Sequence, residues 1–326
     1  MEDTGIVTVT NLSKRFGDFV AVNGISFSVR PGEIFGFLGP NGAGKTTSIN
    51  IMIGLARPSG GTVTIEGVDA GKNVKKAQAL IGVVPDESNL YEEMDGFDNL
   101  CFCGSLYGMR KETREKRARE LLNQFDLADA GKRLYKAYSK GMRRKLTIAA
   151  GIIHNPHILF LDEPTTGIDV ESARQIRQLL VSLKKSGTTI FLTTHYIEDA
   201  ERICDHIAFI VGGKIVAEGS VQELMESVSS GHTIRLSTDS GIEAFQDEMR
   251  SRFEDCMIES KPDHVAVLSS KRRIALLPIL QYLDGKGVLV YEARELHPSL
   301  EDVFVKITGI EAAKLKKEKE KGGGMK

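Results

Sequence analysis

The 326-residue chain contains no tryptophan and only four cysteines, and it carries almost no net charge. The shortages of cysteine and of net charge each close off a class of function. Cys101, Cys103, Cys204 and Cys256 are scattered, and the C-x-C pair has no second pair or nearby histidine, so the spacing is not that of a metal centre. Reduced, partly buried thiols in a cytoplasmic protein are the expectation that remains. A formal net charge of −1 lacks the basic excess of a dedicated nucleic-acid binder, and no nucleic acid is expected as a partner. The longest apolar runs, such as HILFLDEP, fall far short of a membrane span. The opening MEDTGIVTVT has two acids and no apolar h-region, so no export signal is expected. Internal repeats are absent. What is present is an ordinary soluble composition, 41% hydrophobic and 27% charged, at a length that suits one large domain or a large and a small one.

The chain changes style three times. From Ile6 to Leu38 it alternates apolar and polar residues between Gly and Pro breaks, which predicts short strands ending in the buried strand EIFGFLG. From Tyr91 to about Asn155 the pattern is mostly helical, and afterwards strands and helices alternate: HILFLDEP, VESARQIRQLLVSLKKSG, TTIFLTTH, YIEDAERIC, then a hairpin pivoting on Gly212-Gly213. That order predicts an α/β fold with a parallel sheet and a helical insertion over about 90–155. Near Gly231 a β-α-β-β-α-β order begins, which suggests a small ferredoxin-like α+β domain whose second helix Pro278 would kink. Domains are expected at 6–237 and 238–310, the second starting as early as 231, with a lysine-rich flexible tail at 311–326.

The chemistry concentrates in three places. Gly39-Pro40-Asn41-Gly42-Ala43-Gly44-Lys45-Thr46, followed by Thr47, fits G-x-x-x-x-G-K-[ST] between a predicted strand and a predicted helix. Glycines let backbone N–H groups curl around phosphate oxygens, and the helix aims its positive end at the same anion. Lys45 would reach the β- and γ-phosphates, and the Thr46 hydroxyl would ligate Mg²⁺. The apolar strand ILFLDEP delivers two adjacent carboxylates whose roles must differ. Asp162 would hold Mg²⁺, directly or through water, and Glu163 would act as general base on the attacking water. His195, at the end of TTIFLTTH, is placed to donate to the γ-phosphate or the water. ATP and Mg²⁺ are therefore the expected cofactors.

A fourth stretch, AYSKGMRRKL, looks at first like a helix start with its charges reversed. Ser139 is a plausible N-cap, yet Arg143, Arg144 and Lys145 follow where the helix dipole favours negative charge. Taken with the other three elements and their order, it resembles the ATP-binding subunit of ABC transporters, from Ile6 to about Ser237. The resemblance implies an ABC ATPase: a P-loop NTPase core with an antiparallel β subdomain and the helical insertion, plus the C-terminal α+β domain. The odd stretch lands on the family's signature, usually L-S-G-G-Q and here Tyr138-Ser139-Lys140-Gly141-Met142. Ser139 and Gly141 match, whereas Lys140 and Met142 depart in a way that resembles the drug and polysaccharide exporter branch. The closing LHPSLEDVFVKITG is similar to the extension found in that branch.

The resemblance implies that two such subunits sandwich two ATP molecules head to tail. Ser139, Lys140, Gly141 and Met142 of one would face the γ-phosphate held by the other, with Lys140 or Arg143 adding charge. Phe16 would stack on adenine, with Phe19 the second choice. The loop Gly167-Ile168-Asp169 would follow the dimer interface. The family has a Gln contacting Mg²⁺ and water where this chain has Asp86. A carboxylate about 4 Å from another anion costs on the order of 4 kcal/mol at an effective dielectric near 20, so Asp86 is expected to engage Mg²⁺ or water only with the metal in place. The same loop and the helices after Tyr91 would grip a separate transmembrane permease. The protein would then sit on the cytoplasmic face of the membrane and drive transport, in the direction of export. The alternative, a soluble ABC-type ATPase acting on ribosome or DNA, is disfavoured by the single cassette and short insertion. A P-loop kinase or GTPase does not account for the Asp162-Glu163 pair.

Overall fold

Ile34–Leu38 and Ile158–Asp162 are each five consecutive buried residues, the pattern of strands covered on both faces. With Thr189–Thr194, also wholly buried, they form the centre of a six-stranded sheet in the computed structural model, which describes residues 5–88, 90–228, 231–296 and 298–310. The spatial order is Lys214–Ser220, His206–Val211, Ile34–Leu38, Thr189–Thr194, Ile158–Asp162 and Ile81–Val84. All neighbours are parallel except the hairpin that joins the first two. That hairpin turns on Gly212 and Gly213, both at positive φ, as a tight hairpin turn requires.

Parallel pairing has a consequence for chemistry. Leu38 pairs with Thr194, Thr193 with Asp162, and Leu161 with Val84. The chain segments that follow these four strands therefore leave the sheet along one edge, where ligands of such sheets bind.

A second sheet, antiparallel, has the order Phe19–Val29, Val7–Phe16, Gly60–Ile65 and Val68–Asp69. Phe27 joins the two sheets, stacking on Phe35, Phe37 and Phe191 at centroid distances of 5.3, 5.5 and 5.9 Å. These rings lie in a core that also holds Val7, Val29, Met52 and Ile65.

The segment expected to be helical contains Gly96–Leu106, Lys111–Gln124 and Lys140–Gly151. Asp95 caps the first by accepting from the Asp98 amide at 2.7 Å.

Contacts divide the chain into residues up to Val221 and residues Gln222–Lys306, with the described residues from Ile307 grouped with the first unit. The second unit has the strand order Met257–Lys261, Val265–Ser270, His232–Thr238, Val290–Leu296, antiparallel throughout. Helices Gln246–Arg252 and Leu276–Gly285 complete a β-α-β-β-α-β unit. A boundary after Ser237 would cut His232–Thr238, which pairs on both edges; of the two expected starts the later, 238, is corrected, and the earlier, 231, leaves the strand whole. The kink expected at Pro278 is also corrected. The helix begins at Leu276, so Pro278 lies in its first turn, where a missing N–H costs nothing. The four cysteines are free thiols. The lysine-rich tail at 311–326 lies outside the described residues.

Candidate active site

The loop from Gly39 to Gly44 links the buried strand Ile34–Leu38 to the helix Lys45–Met52. Asn41, Gly42 and Thr46 are exposed, Pro40 and Thr47 half-buried, Gly39, Ala43, Gly44 and Lys45 buried. Gly44 has φ 104°, and a Cβ there would lie 2.4 Å from the Ala21 carbonyl oxygen, so only glycine brings the backbone this close. No side chain caps the helix and its first turn has no acid. The first-turn amides thus form a positive, donor-rich end suited to phosphate. Lys45 Nζ lies at the same place, donating to the carbonyls of Gly39 at 2.7 Å and Pro40 at 3.2 Å.

Across the edge stands Glu163, 8% exposed and at φ 49°, a left-handed backbone that costs about 1–3 kcal/mol for a residue with a side chain. Such strain persists only where the surroundings hold it. Here the Glu163 amide is held at Thr193, by the carbonyl and by Oγ1, both at 3.2 Å. The carboxylate is held from three sides. Lys45 Nζ is 3.3 Å from Oε1, while His195 Nδ1 at 2.8 Å and the Thr166 hydroxyl at 3.1 Å reach Oε2. Burial alone would raise the pKa of Glu163, but the His195 hydrogen bond and the Lys45 charge outweigh it and hold the group below its ordinary value. Glu163 is ionised at neutral pH.

Asp162, also buried, accepts from the Thr193 hydroxyl. Its second oxygen has no hydrogen-bond partner among the described residues. The same holds for the exposed Thr46 hydroxyl. A hard carboxylate oxygen and a hydroxyl make a donor set that fits Mg²⁺. The described residues contain no cluster of three or more His, Cys, Asp or Glu able to hold a metal by themselves, so the remaining ligands would be phosphate and water oxygens.

Four side chains that sequence reasoning did not single out, Thr193, Thr165, Asp199 and Arg177, shape this centre. Thr193 braces both carboxylate residues through parallel strand register. Thr165 donates to Asp199 Oδ2 at 2.6 Å and Arg177 to Asp199 Oδ1 at 2.6 Å. They fasten the segment after Glu163 to the helix Ile197–Ile203 just beyond His195. The only sequence-level hint was the polar threonines at the ends of apolar strands.

Asp86 follows the edge strand Ile81–Val84, and its carboxylate faces Arg144 at 3.5 Å. Burial raises its pKa, with Arg144 opposing and Glu163 and Asp162 reinforcing the rise. The signature stretch begins the helix Lys140–Gly151, where Ser139 is the N-cap and accepts from the Met142 amide at 3.2 Å. Ser139 and Lys140 are exposed and Met142 half-buried, whereas a Cβ on buried Gly141 would lie 2.2 Å from Ser172 Oγ. That approach ties the signature to the helix Val170–Lys185, which Asp169 caps through the Ser172 amide at 2.9 Å. Arg143 does not point out of the helix start as expected. It turns back to the Lys136 carbonyl at 2.8 Å, the Tyr138 carbonyl at 3.3 Å and Glu92 at 3.3 Å, and lies over the Tyr135 ring.

Phe16 pairs with Phe19 across a hairpin, and both rings are more than half exposed. The strand that begins at Phe19 carries the Ala21 carbonyl against Gly44, so an exposed aromatic lies near the phosphate loop. Phe16→Ala is expected to weaken ATP binding about tenfold, within the range for loss of one base-stacking ring. Titration with a fluorescent ATP analogue measures it, and unchanged affinity would shift the role to Phe19.

Known proteins resemble the chain along most of its length. Residues 22–166 match the family model for ABC transporters. The chain is 35% identical to the linearmycin resistance ATP-binding protein LnrL of Bacillus subtilis, over 92% of this chain and 97% of that one. It is also 35% identical to the Nod factor export ATP-binding protein I of Cupriavidus metallidurans, over 94% and 99%. Among solved structures, a dimeric ATP-binding cassette in a post-hydrolysis state with ADP and phosphate matches at TM-score 0.60 and 27% identity, over 66% of this chain and 98% of that one.

Proposed function

The chain belongs to the ATP-binding subunits of ABC transporters and hydrolyses ATP, and from that premise we propose that it drives export through a separate transmembrane permease. ABC cassettes dimerise and pair with transmembrane subunits. Among the described residues of this chain, no helix is long and apolar enough to cross a membrane. The direction of transport is supported by its relatives, a linearmycin resistance protein and a Nod factor export protein.

The observation that carries the reading is the convergence of Lys45, Glu163 and His195 at one sheet edge. A triphosphate in the Gly39–Gly44 loop would draw Lys45 to its β- and γ-oxygens. Glu163 would orient water and take its proton, with His195 fixing that carboxylate. Thr46 and Asp162 would hold Mg²⁺, which when bound would neutralise part of the phosphate charge. Asp86, 3.5 Å from Arg144, would engage Mg²⁺ or its water from beside that pair once the metal is in place. Two chains would face head to tail, so that Ser139, Lys140, Gly141 and Met142 of each complete the other's site.

A groove of about 510 Å³ supports a permease contact. It is lined by Leu55, Ile81, Val83, Leu106 and Tyr107, among others. Leu55 and Leu106 are 71% and 69% exposed, more apolar surface than a free helix end needs. It runs from the strand that leads to Asp86 to the helix Gly96–Leu106. Leu106→Asp is expected to reduce recovery of a co-expressed membrane partner in detergent at least about tenfold, as expected when a charge enters an apolar contact. ATP binding should not change. Undiminished recovery, or cosedimentation with ribosomes in its place, would overturn the permease reading.

A further inference from the structure

We infer that Arg144 is a positioning residue that makes the Asp86 loop move with the signature helix, so that each ATP site senses the other's occupancy. The inference rests on the head-to-tail dimer proposed above and adds a connection within each subunit.

Arg144 lies in the helix Lys140–Gly151 and is 7% exposed. Its guanidinium donates from Nη1 to the Pro85 carbonyl at 2.7 Å and from Nη2 to the Asp86 carbonyl at 2.6 Å, and Nη2 lies 3.5 Å from Asp86 Oδ1. A buried cation is costly unless its donors are used. All of these contacts are spent on two successive residues of one loop. The planar fork fixes direction as well as distance, which a lysine cannot do.

A single tie would still let the loop pivot. A second lies on the same face of the helix, three residues on. Ser88 Oγ is 2.8 Å from Thr147 Oγ1 and also bonds the buried Tyr135 hydroxyl. Thr147 in turn donates to the Arg143 carbonyl at 2.8 Å. Residues 85, 86 and 88 are thus fastened to the helix at two points, and rotation of the helix carries them along.

The two ends of this unit face different nucleotides. The helix start at Ser139–Gly141 is the part offered to the partner's ATP. The loop end places Asp86 within the electrostatic reach of Glu163 and Asp162 of its own site. Engagement of the signature by one nucleotide therefore resets Asp86 at the other. Two sites linked through an element that both bias is the physical content of cooperativity.

The absence of tryptophan provides the test. Glu87 is exposed between the two ties, and Glu87→Trp introduces a single tryptophan, excited selectively over the tyrosines, in the full-length chain. In a Glu163→Gln background, ATP should produce a dimer on gel filtration together with a tryptophan emission change. Adding Arg144→Gln should leave the dimer but reduce the emission change several-fold, with Arg144→Lys intermediate. Thr147→Val, nearly isosteric, should weaken the change in the same direction and serves if Arg144→Gln does not fold. With Glu163 intact, the Hill coefficient for ATP should fall from above 1 to about 1 in Arg144→Gln. A full emission change in the Arg144→Gln dimer would overturn the inference. Failure of the parent to dimerise would overturn the dimer reading first, and this inference with it.

Discussion

Glu163→Gln is expected to lower ATP turnover by about a thousandfold, within the range for loss of a general base, and to leave an ATP-bound dimer that survives gel filtration. The amide keeps the shape of the carboxylate, so the strained backbone at φ 49° and its two bonds to Thr193 persist. What disappears is the proton acceptor. Without it the closed dimer has no route to ADP and phosphate, and the state that hydrolysis normally dissolves accumulates.

Nucleotide affinity should move the other way or not at all. Glu163 holds Lys45 at 3.3 Å, and that charge is the one a γ-phosphate needs. Removing the competing carboxylate releases Lys45 and removes an anion beside the triphosphate. ATP binding to the monomer should therefore be equal or tighter, measured by equilibrium titration with a fluorescent analogue. Turnover within about tenfold of the parent would show that Glu163 is not the base, because general-base catalysis contributes more than that.

Much of this centre was legible because its signals are local. A run of four apolar residues followed by Asp162-Glu163 specifies a buried strand that ends in carboxylates, and G-x-x-x-x-G-K-T needs no partner to be read. The bracing around it was not legible. Thr193 meets Asp162 only because two strands sixteen or more residues of helix apart in sequence pair in parallel at that register, and nothing local encodes register. The basic cluster shows the same limit. Arg143 and Arg144 are neighbours in sequence but about 100° apart around a helix. One returns to Glu92 and the Lys136 carbonyl, and the other enters the Asp86 loop. Charge order could not separate them. The start of the second unit stayed open between 231 and 238 for a related reason. Whether His232–Thr238 closes one sheet or opens another depends on its partners, Val265–Ser270 and Val290–Leu296, which come later in the chain.

Ser139→Arg should abolish turnover, by at least about a hundredfold, the scale for losing a donor aimed at developing charge. It should leave ATP affinity of the monomer unchanged. Ser139 Oγ accepts from the Met142 amide, which satisfies the helix start and leaves the hydroxyl proton free to donate outward. The first turn has no acid, and two of its nearby cations are turned away into loop contacts. What it presents to solvent is therefore an exposed hydroxyl, the exposed Lys140 and the positive helix end, a donor set in want of an anion. A γ-phosphate held by a second chain supplies that anion. Arginine also deletes the cap, at about 1 kcal/mol, so lost activity alone could reflect a loosened helix. Ser139→Thr separates the two causes, since threonine caps and donates as serine does and should retain most activity. The deciding measurement is the double variant. Ser139→Arg placed on Glu163→Gln should bind ATP yet elute as a monomer. If the ATP-dependent dimer persisted there, the signature would not be half of a site shared between chains.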